Sequence, residues 1–242
     1  DMTLGRLALA LAYAQVNSTE NALRQSEIAL QDGGGVDAWR ILAITLNDAG
    51  RHDEAVNAAE RALQANNKLL ALYFEQARYA IQIGDADTAT AAYFSVLAFD
   101  SENVKARLRM CELSSFLRES DTAIDYCEEV IDRAPTWSDG WYHLGREYFR
   151  LGEFEAAQTA LNRCSTLQVL QDVPIEARTF DCWYLQGQAA EIQGDCESLL
   201  HIYDEYQQMT RITLVPQSWT YPPEGPSICV NPTRVQTPGT GS

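Results

Sequence analysis

The sequence predicts an all-α array of helical hairpins, and three observations carry that prediction. A helix-turn-helix pattern restarts at Val36, Leu70, Val104 and Ser138, each start 34 residues after the last. Within each period apolar residues recur at spacings of three and four, which gathers them on one face of a helix. Glycines stand at 50, 84, 152 and 194, where the first helix of a hairpin ends and a residue past the last turn often needs positive φ.

The elements follow in order. An N-terminal hairpin fits from about Thr3, through Leu9, Ala10, Tyr13 and Ala22, and closes on Gly33-Gly34-Gly35; its register is one residue short. The hairpin from Val36 carries Trp39, Leu42, Ala43, Leu46, Gly50, Ala55, Ala59 and Ala62. The one from Leu70 gives Tyr73, Ala77, Ala80, Gly84, Ala89 and Tyr93. The one from Val104 is weaker, with Met110, Cys111, Ala123, Cys127 and Pro135. The clearest runs from Ser138 with Trp141, Leu144, Gly145, Tyr148, Gly152, Ala157 and Leu161. A last hairpin, with Trp183, Gly187, Ala190, Gly194 and Tyr203, starts at Phe180, eight residues late; the segment around Gln171, Pro174 and Ala177 holds the excess. Small residues recur where paired helices come closest, with Gly145 opposite Ala157 and Ala43 opposite Ala55. Acidic residues soon after each helix-ending glycine favour the next helix N-terminus.

This period, with this small-and-large code, resembles the tetratricopeptide repeat over residues 3–209. The resemblance implies a right-handed superhelical α-solenoid of about six repeats. They lie near 3–35, 36–69, 70–103, 104–137, 138–171 and 180–210, so that 1–210 is the array and 211–242 a proline-rich extended tail. One hairpin cannot bury its own apolar face, so about three or more must stack. Such arrays present a surface to partners and rarely house a catalytic pocket.

Composition narrows the function. With 34 acidic against 18 basic residues the net charge is −16, which argues against nucleic acid and anionic membrane surfaces as partners. No apolar run approaches the roughly 20 residues that span a bilayer. No secretory signal is visible and the first residue is Asp1, which raises the expectation of a removed signal or anchor. Extracytoplasmic localisation is slightly favoured over cytoplasmic. The three histidines, His52, His143 and His201, sit in no recognised nucleophile motif. Gly33-Gly34-Gly35 lacks the lysine and preceding strand of a phosphate loop. No enzymatic activity and no cofactor are expected. Asn17-Ser-Thr matches a glycosylation acceptor, a pattern that chance often supplies.

Six cysteines are present. By repeat position Cys111 faces Cys127 across one hairpin, and Cys164 faces Cys182 of the next unit, leaving Cys196 and Cys229. Helices packed about 8–10 Å apart bring facing Cα atoms within bridging range, so Cys111–Cys127, Cys164–Cys182 and Cys196–Cys229 are three candidate disulfides. The alternative is free thiols acting as small buried hydrophobes; sequence alone does not choose among the pairings. Oxidised pairs imply an oxidising compartment. A metal site from Cys182, Cys196, His201 and Cys229 lacks the close spacing of a zinc knuckle, and none is expected.

Residues 211–242 hold six of the eight prolines and three charges, Arg211, Glu224 and Arg234. The run from Pro216 to Pro223 reads as extended or polyproline-like chain, and beyond Thr233 the composition suggests disorder. No additional capping helix is visible. Trp219 and Tyr221 either fold back over the apolar edge of the last repeat or dock on another protein.

In tetratricopeptide arrays the first helices line the concave face, and the resemblance assigns ligand contacts by repeat position. Those positions hold Arg40 and Asn47; Phe74 and Arg78; Lys105, Leu108, Arg109, Glu112 and Phe116; Tyr142, His143, Arg146, Phe149 and Arg150; and Tyr184, Gln188 and Glu191. The expected groove is thus Phe74, Arg78, Lys105, Arg109, Phe116, Tyr142, Arg146, Phe149, Arg150 and Tyr184. Guanidinium groups among aromatic rings stack and fork onto carboxylates, which suits an acidic peptide or helix of a protein partner. The competing reading pairs these arginines internally with Glu75, Glu112 or Glu147. Lys105 alone matches part of the carboxylate clamp of chaperone adaptors, and the companion asparagines are missing. Two functions follow: a non-catalytic scaffold that binds a partner segment in this groove, or a structural accessory subunit docked by its edges, convex face and tail.

Overall fold

The computed structural model describes residues 2–16, 18–213 and 219–230. The glycosylation pattern at Asn17 and the expectations for 214–218 and 231–242 fall outside them. The regular structure of the described residues is all helical, with no strand. They fall into two compact units, Asp1–Leu113 and Ser114–Ser242.

The first unit contains α1 (Met2–Gln15), α2 (Thr19–Gln31), α3 (Gly35–Asp48), α4 (His52–Ala65), α5 (Leu70–Gln82) and α6 (Ala86–Phe99), followed by most of α7 (Val104–Phe116). From α1 to α6 each helix packs on the next in sequence. The interior is built from alanine. Ala43, Ala55, Ala58 and Ala59 surround Leu42, Leu46 and the fully buried Tyr79, and Ala62 packs with Leu63 and Leu72. Side chains this small let helix axes approach closely.

The second unit contains α8 (Ser120–Arg133), α9 (Ser138–Leu151), α10 (Phe154–Leu170), a 3-10 turn (Ile175–Ala177), α11 (Asp181–Gln193), α12 (Cys196–Thr213) and the one-turn α13 (Ser227–Val230). A Cβ on Gly145 would lie 2.6 Å from Leu161 Cγ. The side chain nearest this glycine is therefore Leu161, one turn beyond Ala157 on α10. The eight-residue delay goes into an α10 that runs to Leu170 and into the 3-10 turn. Gln168 pins this excursion by accepting from the Thr179 amide at 2.7 Å, and Arg178 Nε donates to the Val173 carbonyl at 2.9 Å.

The hairpin turns repeat in detail. Gly50, Gly84, Gly152 and Gly194 have φ of 73°, 76°, 80° and 76°. The amide that follows each donates five residues back at 2.9 Å: Arg51 to Leu46, Asp85 to Ala80, Glu153 to Tyr148 and Asp195 to Ala190. These bonds satisfy carbonyls left open at the helix end. The weak repeat makes the same turn without glycine. Arg118 takes φ 67° and the Glu119 amide donates to Ser114 O at 2.9 Å.

Candidate interaction surfaces

In the first unit, α5, α6 and α7 enclose a 480 Å³ cavity lined by Phe74, Arg78, Tyr93, Lys105 and Arg109 together with Glu75 and Glu112. Four of the expected groove residues, Phe74, Arg78, Lys105 and Arg109, thus converge on one hollow. Its two carboxylates are engaged. Glu75 takes a bidentate pair from Arg40, with Nε donating at 3.0 and 3.1 Å, and Glu112 pairs with Arg109. Arg78 and Lys105 rest on rings instead: the Arg78 guanidinium lies 5.0 Å from the Tyr79 centroid and the Lys105 ammonium 5.0 Å from that of Phe74. Such cation–π contacts leave the N–H groups able to donate elsewhere.

In the second unit the expected groove arginines turn inward. Glu147 is fully buried on α9. It accepts from the Ser115 hydroxyl and from Arg150 Nη1 at 3.1 Å, and it lies 3.9 Å from Arg146 Nε. Arg150 also donates to the Ser115 carbonyl at 2.9 Å and the Ser120 hydroxyl at 2.8 Å, and Arg146 donates to Ser115 Oγ at 2.8 Å. This ties the chain leading into α8 to α9. A buried carboxylate demands such partners, so these two guanidinium groups are structural cement as well as surface. The Arg146 guanidinium also covers the Tyr142 ring at 5.5 Å, while Tyr142 donates to Asp181 at 3.2 Å. Burial, then Asp181, pushes the Tyr142 phenol up. Phe149 packs edge-on to Phe154. Phe116 is 71% exposed.

The tail returns to the array. Trp219 is 4% exposed, and its ring sits where a Cβ on Gly187 would be, 2.1 Å from Cη2. Tyr184, Tyr203, Tyr206 and Tyr221 surround it with centroids 5.0 to 6.0 Å away in edge-on arrangements, a geometry that aromatic quadrupoles favour. Gln207 donates to its carbonyl at 2.9 Å, and Tyr221 donates to Glu191. Burial and that carboxylate raise the Tyr221 phenol. A buried Trp219 offers no ring face for a partner; Tyr221 stays half-buried. Tyr184, an expected groove residue, is part of this cage.

The Cα atoms of Cys164 and Cys182 are 6.0 Å apart and those of Cys196 and Cys229 5.4 Å, both bonded pairs. The second ties the tail to the start of α12. Cys111 and Cys127 are each fully buried, one in each unit. No helix among the described residues is long and apolar enough to cross a membrane.

Sequence reasoning missed Ser115 and Ser120, which carry no signal beyond helix-end polarity, and it placed Gly187 only as a repeat residue, since its role as a seat depends on a tryptophan 32 residues away.

Residues 138–168 match the tetratricopeptide-repeat model. No curated protein matches the chain. Solved structures do. One titled "Crystal structure of MamA protein" shares 17% identity at a TM-score of 0.62, over 78% of this chain and all of that one (100%). MamA 41-end from Desulfovibrio magneticus RS-1 shares 15% at 0.61, over 73% and 96%. YrrB, described as a TPR protein with an unusual peptide-binding site, shares 20% at 0.55, over 67% and 84%. At these identities the likeness is one of fold.

Proposed function

We propose that this chain, a tetratricopeptide-repeat protein, is a non-catalytic scaffold that binds an acidic peptide or helical segment of a partner protein. The observation that carries the reading is the cavity at Phe74, Arg78, Lys105 and Arg109. Two of its cations lie on rings while its two carboxylates are paired with arginines. An acidic side chain entering there meets donors and aromatic faces without displacing an internal ion pair. YrrB, of similar fold, is described as having an unusual peptide-binding site. The bonded cysteine pairs support an oxidising, extracytoplasmic setting.

Binding of a labelled acidic peptide tests this. Arg78→Glu with Lys105→Glu should weaken it by about tenfold or more, and binding that ignores the double reversal overturns the reading. The equivalent reversal at Arg146 and Arg150 is a poor probe, because it also strips the buried Glu147 of its partners.

The accessory-subunit reading has one observation in its favour. Helix α1 exposes Leu4, Leu9 and Leu11 by 62%, 42% and 39%, an apolar edge suited to a permanent neighbour. Loss of a co-purifying protein on Leu4→Asp with Leu11→Asp, and its retention in the Arg78/Lys105 variant, selects this reading instead.

A further inference from the structure

One cavity of the second unit lies away from the arginine network. It measures 780 Å³; α8 and α10, the second helices of successive hairpins, form its walls and α9 its floor. Its apolar lining includes Trp141, Tyr148 and Phe154. Each is only half-buried, so ring surface faces the hollow. The polar ends of two of these rings are turned to fixed acceptors: the Trp141 indole donates to the Pro135 carbonyl at 2.9 Å, and the Tyr148 hydroxyl to Glu128 at 3.0 Å. Burial and Glu128 push the Tyr148 phenol up to about 12.

The rim has one sign. Glu128 from α8 and Glu153 and Glu155 from the start of α10 line the cavity, all three exposed, and no lysine or arginine joins them. They stand in the more acidic half of the chain: residues 114–242 hold 19 acidic residues against 8 arginines and no lysine, a net −11 of the total −16. A field of this sign over an apolar floor raises the local concentration of cationic ligands and repels anionic ones. It also disfavours a second copy of this acidic chain as the occupant.

We infer that the hollow between α8 and α10 is a second docking site, of opposite preference to the cavity in the first unit. Its occupant is a basic segment of a partner protein that places one aromatic or leucine side chain on Trp141, Tyr148 and Phe154, with flanking lysines or arginines meeting Glu128, Glu153 and Glu155. Buried aromatic anchors supply most of the energy of such contacts, and the charged rim supplies encounter rate and sign selection. Lysine and arginine stems also lie well along exposed rings.

The test uses the whole chain and a fluorescent peptide with a central phenylalanine flanked by lysines and arginines. Binding should be saturable, weaken as salt is raised, and fall by about tenfold or more in Glu128→Lys with Glu155→Lys. Both side chains are exposed; because Glu128 also accepts from Tyr148, circular dichroism checks that the fold survives the change. A peptide with the phenylalanine replaced by serine should bind markedly less well. The inference is overturned by any of three results: no saturable binding, binding that survives the double reversal, or equal binding of the serine peptide, which would reduce the contact to charge alone. Loss of binding in Arg78→Glu with Lys105→Glu would assign the peptide to the first-unit cavity and also overturn it. An acidic peptide that fails at Arg78 and Lys105 leaves this outcome untouched, so the two readings fail separately.

Discussion

In the first unit helices meet through alanine; in the second they meet through rings, sulfur and a buried carboxylate. Among the described residues, fourteen buried alanines lie before residue 114 and five after it. The second unit instead buries Trp183 and Trp219 with Tyr206, Leu199, Ile202 and Met209 around the Cys164–Cys182 pair. One repeat period therefore supports two ways of closing a core. Alanine permits close approach and leaves few alternatives to stabilise. Aromatic packing buries more area per residue but needs individually shaped seats, such as the one Gly187 offers Trp219.

The largest effect should come from that seat. Trp219→Ala removes a buried indole and opens a cavity, at a cost of about 4 kcal/mol. Hydrogen exchange should show lost protection in α11 and α12 and none in α1 to α6. Equal loss throughout would erase the distinction between the units.

The carboxylate comes next. Ser115→Ala takes one donor from the fully buried Glu147 and should cost about 2 kcal/mol in denaturant unfolding. Among the described residues the alanine core has no buried carboxylate: Ala59→Ser, which adds a hydroxyl to that core, should destabilise through desolvation instead. If Ser115→Ala is neutral, the network is ornament on a core that stands without it.

Third is the turn at Arg118. A non-glycine residue at φ 67° carries strain, and Arg118→Gly should stabilise by about 1 kcal/mol. At the matching position in the first unit, Gly84→Ala should lose about as much. A rise in melting temperature for one and a fall for the other would show that both units obey one backbone rule despite different cores.

The smallest effect should be shared by both units. Asp85 accepts from the Thr88 amide and Asp195 from the Ser198 amide, at 3.0 and 3.1 Å, and these bonds hold both carboxyls below their usual range. A carboxyl with a lowered folded-state pKa contributes its full stability above the unfolded value of 3.8, and loses it as pH falls through the lower one. Acid titration should therefore shift Asp85→Asn and Asp195→Asn less than the parent below pH 3.8. A matching shift at neutral pH would assign the effect to something other than these caps.

Much of the architecture was legible because helical hairpins write their geometry locally. Gly50, Gly84, Gly152 and Gly194 marked four helix ends, and spacings of three and four marked the buried faces. Partners were harder to read. Register places Arg146 and Arg150 on a face, yet the choice between a ligand and Glu147 depends on Ser115 and Ser120, thirty residues away and featureless in sequence. The side chain nearest a Cβ on Gly145 is Leu161, since the residue that fills a gap is set by side-chain reach, which periodicity does not encode. The acidic rim was hidden because Glu128, Glu153 and Glu155 come from two helices and look individually like solvated surface.

The cage around Trp219 gives the molecule its own optical gauge. An indole enclosed by four tyrosines at about 5–6 Å emits from an apolar setting and collects excitation from its neighbours. Once the tail leaves, that emission shifts to the red and the tyrosines brighten. Whether the tail is seated can thus be followed in solution without a label, during binding or reduction of Cys196–Cys229, as the difference between the intact chain and a Trp219→Phe variant, a subtraction that removes the emission of the other four tryptophans.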